Sequence, residues 1–187
     1  MKFRVVLIVF ALATLISCVK PASSLQVYYD VPEFHLTSQD GQAFDSQALA
    51  GKIWVADFIY TTCPGPCPRM TSQMREVQNA VRKMADVRLV SFTVDPERDT
   101  PAVLAAYAKQ RGAATDDWYF LTGPPAELQR LDRDVFKLGN IDASLQHSTR
   151  FTLVDRQSRI RGYYETSESQ AIPKLIDDIY VLAREHS

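Results

Sequence analysis

Apolar residues change their spacing several times along the chain, and each change predicts an element. Residues 53–60 are almost continuously apolar and rich in β-branched and aromatic side chains, the pattern of a strand covered on both faces. Met70, Met74, Val77, Val81 and Met84 then recur at spacings of three and four, which predicts a helix beginning near Pro68. Residues 87–94 predict a second buried strand, and strand, helix, strand in this order implies a parallel pair with a right-handed crossover. Thr100 and Pro101 supply an N-cap and a first-turn proline for a helix running to about Gln110, ahead of Gly112. Residues 118–121 predict a third strand, and residues 125–138 a helix that Gly139 ends. Residues 150–154 and 160–164 read as an antiparallel hairpin, followed by a helix over residues 170–185 with Ile172, Leu175, Ile176, Ile179 and Leu182 on one face. Upstream, residues 33–37 and 42–44 flank Asp40-Gly41 and predict another hairpin. Together these elements make one α/β domain, a mixed sheet with helices on both faces, beginning near Asp30.

The first residues follow a different pattern. Lys2 and Arg4 precede an apolar run over residues 5–16, shorter than the roughly 20 residues a membrane span needs, so the segment reads as a secretory signal peptide. It closes on Leu15-Ile16-Ser17-Cys18, which resembles the lipobox of bacterial lipoproteins. That likeness implies removal of residues 1–17 and a lipid on Cys18, with residues 18–29 as a tether and residues 30–187 as the domain. The expected location is extracytoplasmic, periplasm-facing and lipid-anchored to a bacterial membrane. A net charge of −1, a pI near 6.3 and the absence of a Lys/Arg run argue against nucleic acid as a partner. With Cys18 committed to lipid, Cys63 and Cys67 are the remaining cysteines, too few for a scaffold stapled by disulfides.

The chemistry concentrates in Thr61-Thr62-Cys63-Pro64-Gly65-Pro66-Cys67-Pro68, between a buried strand and a helix N-terminus. Unpaired N–H groups at a helix start favour thiolate over thiol, so both sulfurs become better ligands and nucleophiles. A spacing of four puts the pair within disulfide reach if the loop is helix-like, which allows cycling between dithiol and disulfide. Met70 and Met74 sit at helical spacing and read as core. Of the three histidines, His35 lies in the first predicted strand and His186 in the tail, whereas His147 precedes the last hairpin and is the candidate ligand. Asp95 ends the second buried strand on the same sheet edge as the cysteines, where it serves either the site or the turn at Pro96. Two thiolates and one imidazole suit copper and leave its coordination incomplete; zinc accepts the same donors.

Cys63-Pro64-x-x-Cys67-Pro68 after an aromatic strand, then Val94-Asp95-Pro96-Glu97-Arg98-Asp99-Thr100-Pro101, then a single His before a hairpin strand, resemble the Sco (SenC) family over about residues 30–185. The resemblance implies a thioredoxin-like fold and a copper site made of Cys63, Cys67 and His147, with Asp95 as an auxiliary residue. It also implies a metallochaperone that delivers copper to the copper A centre of a respiratory oxidase. Gly65 stands where many members carry an acidic residue. The alternative function is a thiol–disulfide oxidoreductase, with Cys63 and Cys67 as its redox pair, acting on cysteines of a copper-receiving or cytochrome maturation partner. A thiol peroxidase fits less well, because Tyr60 occupies the place of the hydroxyl residue that such enzymes carry three positions before the attacking Cys.

Overall fold

The computed structural model describes residues 25–139 and 148–185. Cys18, His147 and His186 therefore lie outside the described residues. The strands are β1 (His35–Ser38), β2 (Ala43–Asp45), β3 (Ile53–Ile59), β4 (Val87–Thr93), β5 (Trp118–Thr122), β6 (Arg150–Val154) and β7 (Ile160–Glu165). The helices are α1 (Cys67–Val81), α2 (Pro101–Arg111), α3 (Pro125–Arg130) and α4 (Ala171–Arg184), and a short 3₁₀ turn spans Ser46–Leu49.

Seven strands form one sheet in the order β2-β1-β5-β4-β3-β6-β7. β3, β4 and β5 are parallel, as the crossovers through α1 and α2 require, whereas the flanking pairs are antiparallel. Every residue of β3 is buried, because side chains alternate between two cores. Ile53, Val55 and Ile59 pack with α1, α2 and α4, while Trp54, Ala56 and Phe58 join Phe92, Leu128, Leu131 and Phe136 on the opposite face. This is the mixed sheet with helices on both faces expected from the hydrophobic pattern.

One expectation fails. The helix predicted over residues 125–138 keeps α geometry only to Arg130, and Leu131–Val135 widen into a π-helical turn. Phe136 N–H donates to Leu131 C=O at 2.8 Å, and the left-handed residue that follows is Lys137, with φ 55°, rather than Gly139. The wider turn brings Phe136 into ring contact with Trp54, Phe58 and Phe92, so burial of an aromatic side chain overrides the regular helical period. Elsewhere Gly112 ends α2 at φ 68°, a conformation that glycine adopts without strain.

Among the described residues, contacts with the domain are already present at Leu25, ahead of Asp30. Tyr28 N–H donates to Ile160 C=O at 2.9 Å, Ile160 N–H to Tyr29 C=O at 2.7 Å, and Val31 N–H to Ser158 C=O at 2.7 Å. This segment lies against residues 158–160, the end of the β6–β7 turn and the first residue of β7.

Candidate metal and thiol site

The site forms where β3 and β4 end, at the carboxyl edge of the parallel strands, the usual place for sites in open α/β sheets. β3 ends at Ile59, Cys63 follows in the connecting loop, and α1 begins at Cys67 itself. Pro66 and Pro68 fit at the helix start, where no N–H partner is needed. Both cysteines are free thiols; Cys67 is fully buried and Cys63 is 8% exposed.

Their environments separate the two thiols. Burial works against the Cys63 thiolate. Hydrogen bonds from the Cys67 thiol, the Cys67 and Gly65 backbone N–H groups and the Tyr60 hydroxyl outweigh it, and its pKa falls below the ordinary thiol value. Cys67 moves the other way. Burial pushes it well up, and its proton is further held by the hydrogen bond it gives Cys63 and by the negative charges of Cys63 and Asp57. The pair thus consists of one readily ionised sulfur near the surface and one protonated sulfur beneath it.

Asp95 is 6% exposed and serves its turn: its C=O accepts from Arg98 N–H at 3.1 Å and Asp99 N–H at 2.8 Å, and its carboxylate pairs with Arg98 at 3.1 Å. Its charge also reaches the site, where it adds to burial and the Cys63 sulfur in raising the Tyr60 pKa. His35 is exposed and faces Asp45 at 3.6 Å, away from the cysteines. Met70 and Met74 are fully buried in the α1 core. Among the described residues, no three His, Cys, Asp or Glu side chains gather as a metal centre.

Three residues at the site escape the sequence reading. In the sequence Tyr60 marks only the absence of a peroxidase hydroxyl, yet its own hydroxyl and its N–H serve the two sulfurs. Asp99 is completely buried and accepts from Thr61 N–H at 3.1 Å, Thr61 Oγ1 at 2.5 Å and Thr93 Oγ1 at 2.6 Å, tying the loop after β4 to the root of the cysteine loop. Asp57 lies within β3, fully buried, and among the described residues its carboxylate oxygens find no well-formed hydrogen bond, the Ser91 hydroxyl on β4 being the nearest help. Burial pushes its pKa up to about 7, with the nearby Ser91 hydroxyl opposing. The one available signal was an acidic residue inside an otherwise apolar strand.

The sequence matches SCO1/SenC over residues 24–182, which includes the cysteine loop, the Asp95–Pro101 turn and both hairpins. The chain belongs to the SCO1/SenC family. A SCO1/SenC family lipoprotein from Bacillus anthracis is 32% identical, with a TM-score of 0.78 over 83% of this chain and 96% of that one. BsSco, a member of the Sco family of cytochrome c oxidase assembly proteins in which a disulfide switch was identified, is 30% identical, with a TM-score of 0.78 over 89% of this chain and 100% of that one. Bradyrhizobium japonicum ScoI, solved with copper bound, is 27% identical, with a TM-score of 0.67 over 83% and 99%. The SCO1/SenC match thus spans every strand and nearly all of α4, and the thioredoxin-like architecture implied by the resemblance is shared with these relatives.

Proposed function

We propose that this chain is an extracytoplasmic copper metallochaperone that binds copper through Cys63, Cys67 and His147 and delivers it to the copper A centre of a respiratory oxidase. The observation that carries this reading is the pair of thiols at the entry to α1, with Cys67 donating its hydrogen bond to the Cys63 sulfur. The donor chemistry fits: two soft sulfurs suit copper, and one imidazole completes a set that still leaves room for a receiving ligand. Pairing of β6 with β3 supports His147 as the third donor. Thr152 faces Ala56 and Val154 faces Trp54, so the start of β6, three residues after His147 in sequence, lies at the cysteine end of β3. The copper-bound ScoI of B. japonicum and the oxidase assembly role of the BsSco family support the metal and the destination. Asp95 is auxiliary, acting on the site through Tyr60. The likeness to the B. anthracis lipoprotein supports a lipid on Cys18, signal removal over residues 1–17 and an extracytoplasmic location.

Protons are part of the chemistry. Only thiolates ligate well, so loading must displace the proton that Cys67 holds, and affinity should rise with pH. Oxidation to the Cys63–Cys67 disulfide removes both ligands.

The asymmetry of the thiols favours a second reading, a thiol–disulfide oxidoreductase. Cys63 would attack a partner's disulfide and Cys67 would resolve the mixed disulfide, leaving the partner reduced and this pair oxidised. One experiment separates the two. Wild type and His147→Ala are compared for Cu(II) absorption, Cu(I) retention against a chelator, and the rate of reaction with a small disulfide. The metallochaperone reading expects one copper per reduced chain, none on the oxidised chain, and a large loss of copper retention in His147→Ala with thiol exchange largely kept. Unchanged copper binding together with collapsed exchange in the variant would overturn it in favour of the oxidoreductase.

A further inference from the structure

Arg161, the second residue of β7, is a buried cation with a task unrelated to the cysteines. Its side chain is 2% exposed. Nη1 donates to Asp155 at 2.8 Å and to Glu185 at 3.2 Å, while Nε donates to Gln26 C=O at 3.2 Å and Nη2 to Leu25 C=O at 2.9 Å. One guanidinium thus binds the β6–β7 turn, the end of α4 and the backbone of the N-terminal segment. Two carboxylates neutralise its charge, and the carbonyl bonds are charge-assisted. Lysine cannot reproduce this, because its ammonium lacks the planar fork of five donors.

Strand register locates the clamp. Ile160 pairs with Val154, and Val154 pairs with Trp54, the second residue of β3; the cysteines follow the last residue of β3. The clamp and the thiols therefore occupy opposite poles of the sheet, separated by the seven residues of β3, about 20 Å at the usual strand rise. The clamp also limits the reach of the tether. Six residues separate Cys18 from Leu25, which reach about 20 Å at full extension. A tether released as far as Val31, the last residue bonded to Ser158, would have twice that number. A second observation concerns the residues just past the clamp. Among the described residues five large apolar side chains are exposed, and three of them are consecutive: Val27, Tyr28 and Tyr29. Apolar bodies with hydroxyl tips suit a lipid–water boundary.

We propose that the Arg161 pole is the membrane-facing end of the domain, and that Arg161 shortens the tether so that the Cys63–Cys67 loop points away from the bilayer. This rests on the lipid at Cys18. Turning the cysteines towards the headgroups would require the six residues between Cys18 and Leu25 to span nearly their maximum reach, at a cost in chain entropy that a longer tether would not incur.

The test uses the full, membrane-extracted chain in phosphatidylethanolamine–phosphatidylglycerol vesicles that carry an acceptor dye on the headgroups. In a Cys63→Ser, Cys67→Ser background, a donor dye is attached through Gln157→Cys at the clamp pole or Arg69→Cys on α1. The expected result is energy transfer several-fold higher from position 157 than from position 69. Arg161→Leu should abolish most of that difference. Twelve Gly/Ser residues inserted between Ser24 and Leu25, which leave the folded domain untouched, should abolish it as well. Equal transfer from both positions in the parent, or a difference that survives the insertion, overturns the proposal. Flotation with the vesicles is scored separately: a chain that does not float refutes the lipid anchor and the proposal with it, whereas one that floats with equal transfer refutes the orientation alone.

Discussion

Asp57 shows how one residue can oppose stability at a functional site. Its carboxyl is enclosed by the core, is helped only weakly by the Ser91 hydroxyl and titrates near 7 in the folded chain, against an ordinary value of 3.8. A raised carboxyl pKa means that the folded state keeps a proton the unfolded state has released. Stability therefore falls as pH rises from about 4 to about 7 and then levels off. Asp57→Asn cannot titrate, so it removes this dependence. Relative to wild type it should gain on the order of 4 kcal/mol between about pH 4 and pH 8, measured by urea denaturation. A constant difference across that range would show that Asp57 is solvated. Asp132, with its pKa raised to about 6 by burial, adds to the same trend in both proteins and cancels in the comparison. The thiols were legible in the sequence because a Cys pair between a strand and a helix is chemically conspicuous. Asp57 was not, because hydrophobic patterning reports which face a residue occupies and carries no information on whether its polar atoms find partners.

Among elements, the two loops at the carboxyl edge act as a unit, because Asp99 at the end of one receives three hydrogen bonds, two of them from Thr61 of the other. Asp99→Ala leaves the Thr61 N–H without its acceptor and should cost about 2–4 kcal/mol. It should also speed amide hydrogen exchange over residues 61–67 well beyond the exchange in β6 and β7, with Asp99→Asn intermediate. Equal acceleration everywhere would mean that Asp99 supports the fold as a whole. Most elements follow from apolar spacing: β3, β4, β5 and α2 fall within a residue or two of their expected bounds and α1 starts one residue from its expected start, since each buries a stripe or face that the period reveals. The end of α3 does not follow, because the π turn answers to the packing of Phe136 among Trp54, Phe58 and Phe92, residues far away in the chain. The Asp99 contacts escaped for the same reason, spanning 38 residues from Thr61.

Over the whole molecule, a single sheet with a core on each face separates two poles, one with ionisable sulfurs and one with the Arg161 clamp. The segment that leaves the clamp, residues 28–31, pairs with residues 158–160, the end of the β6–β7 turn and the first residue of β7, at the outer margin of the sheet. An uncovered margin strand offers unpaired N–H and C=O groups to any other strand, including its copy in a second molecule, and natural sheets avoid leaving such an edge open. The opposite margin, β2, is only three residues long and offers little to pair with. A chain cut to begin at Phe34 should therefore dimerise or aggregate at concentrations where one beginning at Leu25 stays monomeric, as light scattering after size exclusion would show. With the proposed lipid on Cys18, the same stretch would also keep neighbouring molecules on a crowded membrane from joining sheet to sheet.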